Sequence, residues 1–330
     1  MIKLSNVKLL VIIAGVVVFG VGVVIWLGRK TAPVAPLPSL PAVEITPVVP
    51  QLEASRYSLQ APLPGVTKLP VYEFKGDVVA NFGSRWSEAL GFSGEPQEVE
   101  DALEGTLYLW AKEGETLVLS EDASSLSYRI DLSPLTHPTG VFGSFLPSFE
   151  AAAEIVERTL TELGATVNFL EYAPGKSKAL KVGVEYVNET TPEQADLVEI
   201  HFAAKVNGYP VYLESGPEQD PVLAWIGRDG KLLRLEYYPV GTLGEKIADY
   251  SIKNQEELLK DLAGGEGTVV SSGLEGGEKI EVVTISKIDL GYLLPQQEAT
   301  ILQPIFILQG QARAASGQTG TVTIYLPAVP

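Results

Sequence analysis

From Leu9 to Gly28 the chain is an unbroken run of apolar and glycine residues, with Lys3 and Lys8 before it and Arg29 and Lys30 after it. This run constrains the chain more than any other feature. About 20 residues rising ~1.5 Å each match the ~30 Å hydrocarbon core of a bilayer, which predicts one transmembrane helix. Its apolar surface includes Leu9, Ile13, Val17, Val21, Ile25 and Trp26, and Arg29 and Lys30 form its basic flank. A cleaved secretory signal has a shorter apolar region and a small-x-small cleavage site, whereas here Arg29-Lys30-Thr31-Ala32-Pro33 follows. Flanking charge is nearly balanced, but large domains translocate regardless of charge. The expected location is therefore the cell membrane, single-pass, with the C-terminal body outside.

The chain carries 24 Lys and Arg against 41 Asp and Glu, a formal charge of −17. Four of those basic residues fall in the first thirty, so the remainder of the chain is more acidic still. Such a charge opposes nucleic-acid binding, which relies on Lys and Arg to neutralise phosphates. With 0 cysteines, disulfides, thiolate metal sites and cysteine nucleophiles are excluded. Pro33, Pro36, Pro38, Pro41, Pro47, Pro50, Pro62 and Pro64 punctuate residues 31–64, which read as an extended stalk.

The apolar fraction of the whole chain, 45%, and the length beyond the stalk suit compact cores. The periodicity predicts three units, over residues 65–133, 147–241 and 250–330, each opening near a helical stretch and continuing into alternating strands. The strongest helical pattern is Ser148 to Leu163, where Ala152, Ile155, Val156, Leu160 and Leu163 form one stripe, Glu150 and Glu154 suit the N-terminal end and Gly164 the C-terminal cap. Other helices are predicted over 77–90 and 252–262. Strands are predicted over 71–74, 107–112, 115–121, 126–131, 165–172, 178–187, 196–206, 209–213, 222–226, 231–237, 268–271, 279–290, 300–308 and 320–326. Asn207-Gly208 and Asp229-Gly230 are hairpin signals. The expected class is α+β: an N-terminal transmembrane helix, then two or three modules of a helix packed on an antiparallel sheet.

Chemistry-bearing motifs are sparse. The two histidines, His137 and His201, have no partner at metal-binding or catalytic spacing. His201 alternates with Val198, Ile200 and Phe202 and so faces away from them. Gly91-Phe92-Ser93-Gly94-Glu95 lacks the last glycine of a nucleophile elbow, and Gly265-Glu266-Gly267 follows a helix and leads into a strand, the reverse of a dinucleotide loop. No catalytic, cofactor or metal-binding residue is assigned, and the chain is expected not to be an enzyme. Aromatic residues drive recognition, and Tyr209, Tyr212, Trp225, Tyr237 and Tyr238 crowd the hairpins of the second unit, making them the candidate partner-binding residues.

The segment Asn207-Gly208-Tyr209-Pro210-Val211-Tyr212, the hairpin WIGRDGKLLRLEYYP and the late stretch GYLLPQQEATILQPIFILQG resemble YycH/YycI-type extracytoplasmic regulators. The resemblance covers roughly residues 199–326. It implies PepSY-like modules, a helix on an antiparallel sheet, in a membrane-anchored accessory protein of cell-wall kinases; the proline-rich stalk and the extra first unit depart from that layout. The expected function is that of a non-catalytic regulatory or scaffolding protein of the cell envelope, held to the membrane by its N-terminal helix and contacting a protein partner. Two alternatives stand beside it: an envelope hydrolase or transferase using a carboxylate pair, and a PepSY-like peptidase inhibitor.

Overall fold

The computed structural model describes residues 37–43, 45, 56–76, 82–101, 105–121, 124–133, 145–165, 167–184, 186–274, 280–294 and 300–330. The anchor residues Leu9, Ile13, Val17, Val21, Ile25, Trp26, Arg29 and Lys30 lie outside them, as does His137. Among the described residues no helix is long and apolar enough to cross a membrane. The longest of them has 14 residues, about 21 Å against the ~30 Å required. The expected single-pass membrane location is corrected to this extent: no described helix supplies its span. Residues 1–42 and 43–330 form separate compact units, and all the described strands and helices lie in the second.

Strands β1 (Arg56–Leu59) and β2 (Lys68–Lys75) precede helix α1 (Phe82–Ala89). A meander follows: β3 (Gln97–Asp101), β4 (Gly105–Lys112), β5 (Glu115–Ser120) and β6 (Leu126–Ile130). After helix α2 (Phe149–Glu162) come β7 (Leu170–Tyr172), β8 (Lys178–Val182), β9 (Val187–Glu189), β10 (Leu197–Val206), β11 (Tyr209–Tyr212), β12 (Val222–Gly227), β13 (Leu232–Tyr237) and β14 (Thr242–Ser251). Helix α3 (Gln255–Gly264) leads into β15 (Thr268–Ser272), β16 (Ile280–Leu293), β17 (Ile301–Ala314) and β18 (Thr319–Pro327).

The expected α+β chain of PepSY-like modules is overturned. Among the described residues, eighteen strands join by backbone pairing into one large mixed sheet, with only three α-helices laid on it. The cause is long-range pairing that local periodicity does not report. Strand β6 pairs antiparallel with β13, Arg129 opposite Arg234, so the meander continues directly into the strands that follow α2. Strand β2 pairs with β14 and with the start of β17, and β1 runs parallel to β16. The first strands thus belong with the last ones. Residues 56–63, expected in the stalk, include β1, and Leu59, Ala61 and Leu63 pack on the core under α3.

One helical layer covers the sheet β3-β4-β5-β6-β13-β12-β10. Ser148 caps α2, its hydroxyl accepting from the Ala151 amide at 3.2 Å, and Gly164 at φ +75° follows the last turn. The stripe Ala152, Val156 and Leu160 then buries against Val198, Ile200 and Phe202 of β10 and Val222, Ala224 and Ile226 of β12. Trp86 of α1, fully buried, stacks on Tyr237 with ring centroids 5.4 Å apart. A second layer places Leu258 and Leu262 of α3 on Val283, Ile285, Phe306, Leu308 and Ile324. Helix α3 starts at Gln255 rather than Ile252 because Asn254 caps it: its side chain accepts from the Glu256 and Glu257 amides, and Glu257 accepts in return from the Asn254 amide.

Strand β11 joins the layers. Asn207 and Gly208, at φ 52° and 79°, make the tight turn from β10, and β11 then pairs parallel with the end of β16. Tyr72, Val206, Val211, Tyr292 and Leu302 fill this junction. The Tyr292 hydroxyl, buried in it, donates to the Pro70 carbonyl at 2.9 Å.

Candidate functional site

Because side chains alternate across a strand, burying Val198, Ile200 and Phe202 under α2 turns Glu199 and His201 to the opposite face. Strand register then extends this face sideways. Trp225 stands opposite Glu199, Arg234 opposite Trp225, and Arg129 opposite Arg234; in the next row Leu223 stands opposite His201, Glu236 opposite Leu223, and Ser127 opposite Glu236. Two rows of mostly polar side chains cross four strands. A bulge at Trp225/Ile226 adds Leu233 to this face, where it meets Leu180, Val182 and Leu197 in a small apolar cluster against which Trp225 packs.

His201 is clamped at both ring nitrogens. Nδ1 lies 2.9 Å from Asp220 and Nε2 3.1 Å from Glu199. The second Glu199 oxygen accepts from Trp225 Nε1 at 2.8 Å, and Lys176 Nζ donates to Asp220 at 2.8 Å. Burial by itself would lower the imidazole pKa, but the hydrogen bonds and charges of Asp220 and Glu199 prevail and raise it from 6.5 to about 9. Burial likewise works to raise Glu199, yet the bonds from His201 and Trp225 hold it below the ordinary carboxylate range. The group is an imidazolium between two carboxylates at neutral pH.

Farther along, Glu236 Oε1 accepts from Arg234 Nε at 3.0 Å, Arg129 Nη2 at 2.9 Å and the Ser127 hydroxyl at 3.0 Å. One carboxylate oxygen separates two arginines that face each other in register. Arg234 also lies over the Trp225 ring, 4.9 Å from its centroid.

This ladder is closed chemistry. Both imidazole nitrogens are occupied, so neither is left to take a proton from a substrate. Glu199 and Asp220 approach opposite sides of the ring and cannot converge with it on one ion. Among the described residues no group of three or more His, Asp or Glu side chains is placed to hold a metal.

A concave site lies on the other face. A cavity of about 270 Å³ opens between α2 and the short strand β7, with Val167, Leu170, Tyr172 and Phe202 as its apolar floor and Ala153 and Leu160 on the helix side. Glu150, Glu154 and Glu157, spaced to share one helix stripe, line the same opening and are exposed. None of the three makes an ion pair among the described residues. The Tyr172 and Phe202 rings lie 6.1 Å apart at 54°.

The aromatic residues singled out by sequence are divided between several places, with Tyr209 and Tyr238 alone sharing one cluster. Trp225 belongs to the ladder, while Tyr237 is 1% exposed and forms core with Trp86. Tyr209 and Tyr212 lie on β11, where Tyr212 approaches Tyr325 at 6.1 Å, and Tyr238 packs at the junction core. Strand alternation sends Tyr237 inward and Trp225 outward. Sequence reasoning missed the clamp and the groove. Glu199 and His201, two apart on one strand face, were a visible signal; Asp220, brought in by the loop before β12, was not. Glu150 and Glu154 were placed on the helix by sequence, and Glu157 shares their stripe by its spacing.

No family model matches the chain, and no curated protein matches it. A solved structure of an uncharacterized protein from Eubacterium rectale ATCC 33656 is similar at a TM-score of 0.42 and 13% identity, covering 83% of this chain and 88% of that one.

Proposed function

We propose that this is a non-catalytic binding protein, regulatory or scaffolding in role, that recognises another protein. The observation that carries the reading is the mutual satisfaction of its ladder: His201, Glu199, Asp220, Arg234 and Glu236 spend their hydrogen bonds on one another. Such a network orders a sheet surface and leaves no poised acid, base or nucleophile. The three glutamates of the groove stand on a single wall, whereas a glycosidase needs carboxylates gripping the scissile bond from two sides.

The test is a turnover screen of the full chain with chromogenic esters, glycosides and phosphomonoesters. No turnover above that of the heat-denatured protein is expected. Turnover that disappears in Glu199→Gln, Asp220→Asn or Glu154→Gln would overturn the reading.

A further inference from the structure

We propose that the groove between α2 and β7 is a docking site for an extended peptide segment of a partner protein that inserts a Lys or Arg side chain. This rests on the binding-protein reading above and specifies its ligand. Three observations converge on it.

The first is shape. At about 270 Å³ the cavity sits at the small end of ligand pockets, which suits one or two inserted side chains better than a cofactor. Ala153 keeps the helix wall low, and Leu170, Tyr172 and Phe202 supply an apolar floor.

The second is charge complementarity. Lys and Arg lay an aliphatic stem on apolar surface and keep the charged head in water. A floor of Tyr172 and Phe202 receives that stem, with ring faces suited to a guanidinium, and Glu150, Glu154 and Glu157 meet the head at the mouth. Among the described residues no Lys or Arg lines the cavity to compete for them.

The third is a free strand edge at the groove wall. Strand β7 pairs only with β10 among the described strands, Glu171 opposite Ala203. The Ala173 amide donates to His201 O and the Lys205 amide donates to Phe169 O, so the Phe169 carbonyl and the Ala173 amide face β10, with Glu171 in register between them, while the Ala173 carbonyl accepts from the Lys176 amide of the next turn. By the alternation of an antiparallel ladder, Tyr172 turns its backbone N–H and C=O outward. An extended peptide can add to this edge while its alternate side chains enter the groove.

The test is fluorescence anisotropy of the full chain with a labelled, acetylated Val-Lys-Val-Lys-Val-Lys peptide and its Val-Glu counterpart. Saturable binding of the lysine peptide alone is expected. It should weaken at least tenfold in the triple variant Glu150→Gln/Glu154→Gln/Glu157→Gln, and equally in Val167→Trp, which fills the groove without changing charge; circular dichroism establishes that each variant is folded. Retention of binding in a folded Val167→Trp variant would reduce the effect to general attraction by an acidic protein and overturn the proposal. Absence of binding by the lysine peptide, or displacement of it by hexylamine at equal concentration, would overturn it too. Any of these failures without turnover in the chromogenic screen leaves the non-catalytic reading standing, whereas turnover removes that reading whatever the peptide does.

Discussion

His201 illustrates how a single side chain can tie two loops to a strand. Asp220 precedes β12, Lys176 lies between β7 and β8, and both are held to β10 through the imidazole. The folded pKa, raised from 6.5 to about 9, means that the folded protein keeps the proton more tightly than the unfolded chain. The clamp therefore contributes fully below about pH 6.5 and is lost as pH rises through about 9. The urea midpoint should fall across that window for the wild type and change much less for His201→Gln. An imidazole carbon resonance titrating near its unperturbed value would contradict this. Glu236 makes a second residue-scale case, because Arg129 and Arg234 are directly opposed and meet on its one oxygen. Glu236→Ala should cost about 1–3 kcal/mol by chemical denaturation. Adding Arg129→Thr should recover part of that loss, since it removes the opposed charge.

Elements with a local cause were legible in the sequence. Helix α2 follows from Ser148, its apolar stripe and Gly164, and the β10–β11 hairpin from Asn207-Gly208. Where the cause is distant, sequence was mute. Strand β14 (Thr242–Ser251) has a mostly exposed, irregular pattern and exists because β2 pairs with it through two register shifts. Strand β3, exposed along its whole length, is held by β4 alone among the described strands. The same division runs through the candidate sites: the groove's glutamates lie on one helix, but its floor comes from Val167, β7 and β10, and the ladder needs the β6–β13 pairing that links residues far apart in sequence. Helix α3 is the element whose local cause is easiest to test. Asn254→Ala removes the side-chain half of its capping box, the bonds from the Glu256 and Glu257 amides, and should cost about 1 kcal/mol. The loss should be read as a lowered denaturant midpoint with unchanged slope, and Asn254→Ser should largely restore it.

For the molecule as a whole, residues 43–330 behave as one compact unit despite carrying two helix-covered layers. Trp86, Trp110 and Trp225 all lie in the first layer or on its outer face. Gly310 lies in the second, on β17, where an added Cβ would stand 2.8 Å from the Thr284 carbonyl carbon. Gly310→Ala should destabilise by about 1–3 kcal/mol through overpacking. If the junction at β11 couples the layers, the tryptophan fluorescence midpoint of this variant, measured with Trp26→Phe as background, falls together with the circular dichroism midpoint. A fluorescence midpoint left in place would mean that the layers unfold separately.

The pairing of β1 and β2 with β14, β16 and β17 also sets a timetable. A ribosome adding about 5–20 residues per second delivers β14 on the order of 8–35 s after β2 and β16 on the order of 10–45 s after β1, and until then these earliest strands have no edge to join. Newly made chains must therefore hold Leu69, Val71 and Phe74, all buried in the finished protein, in waiting through most of their own synthesis.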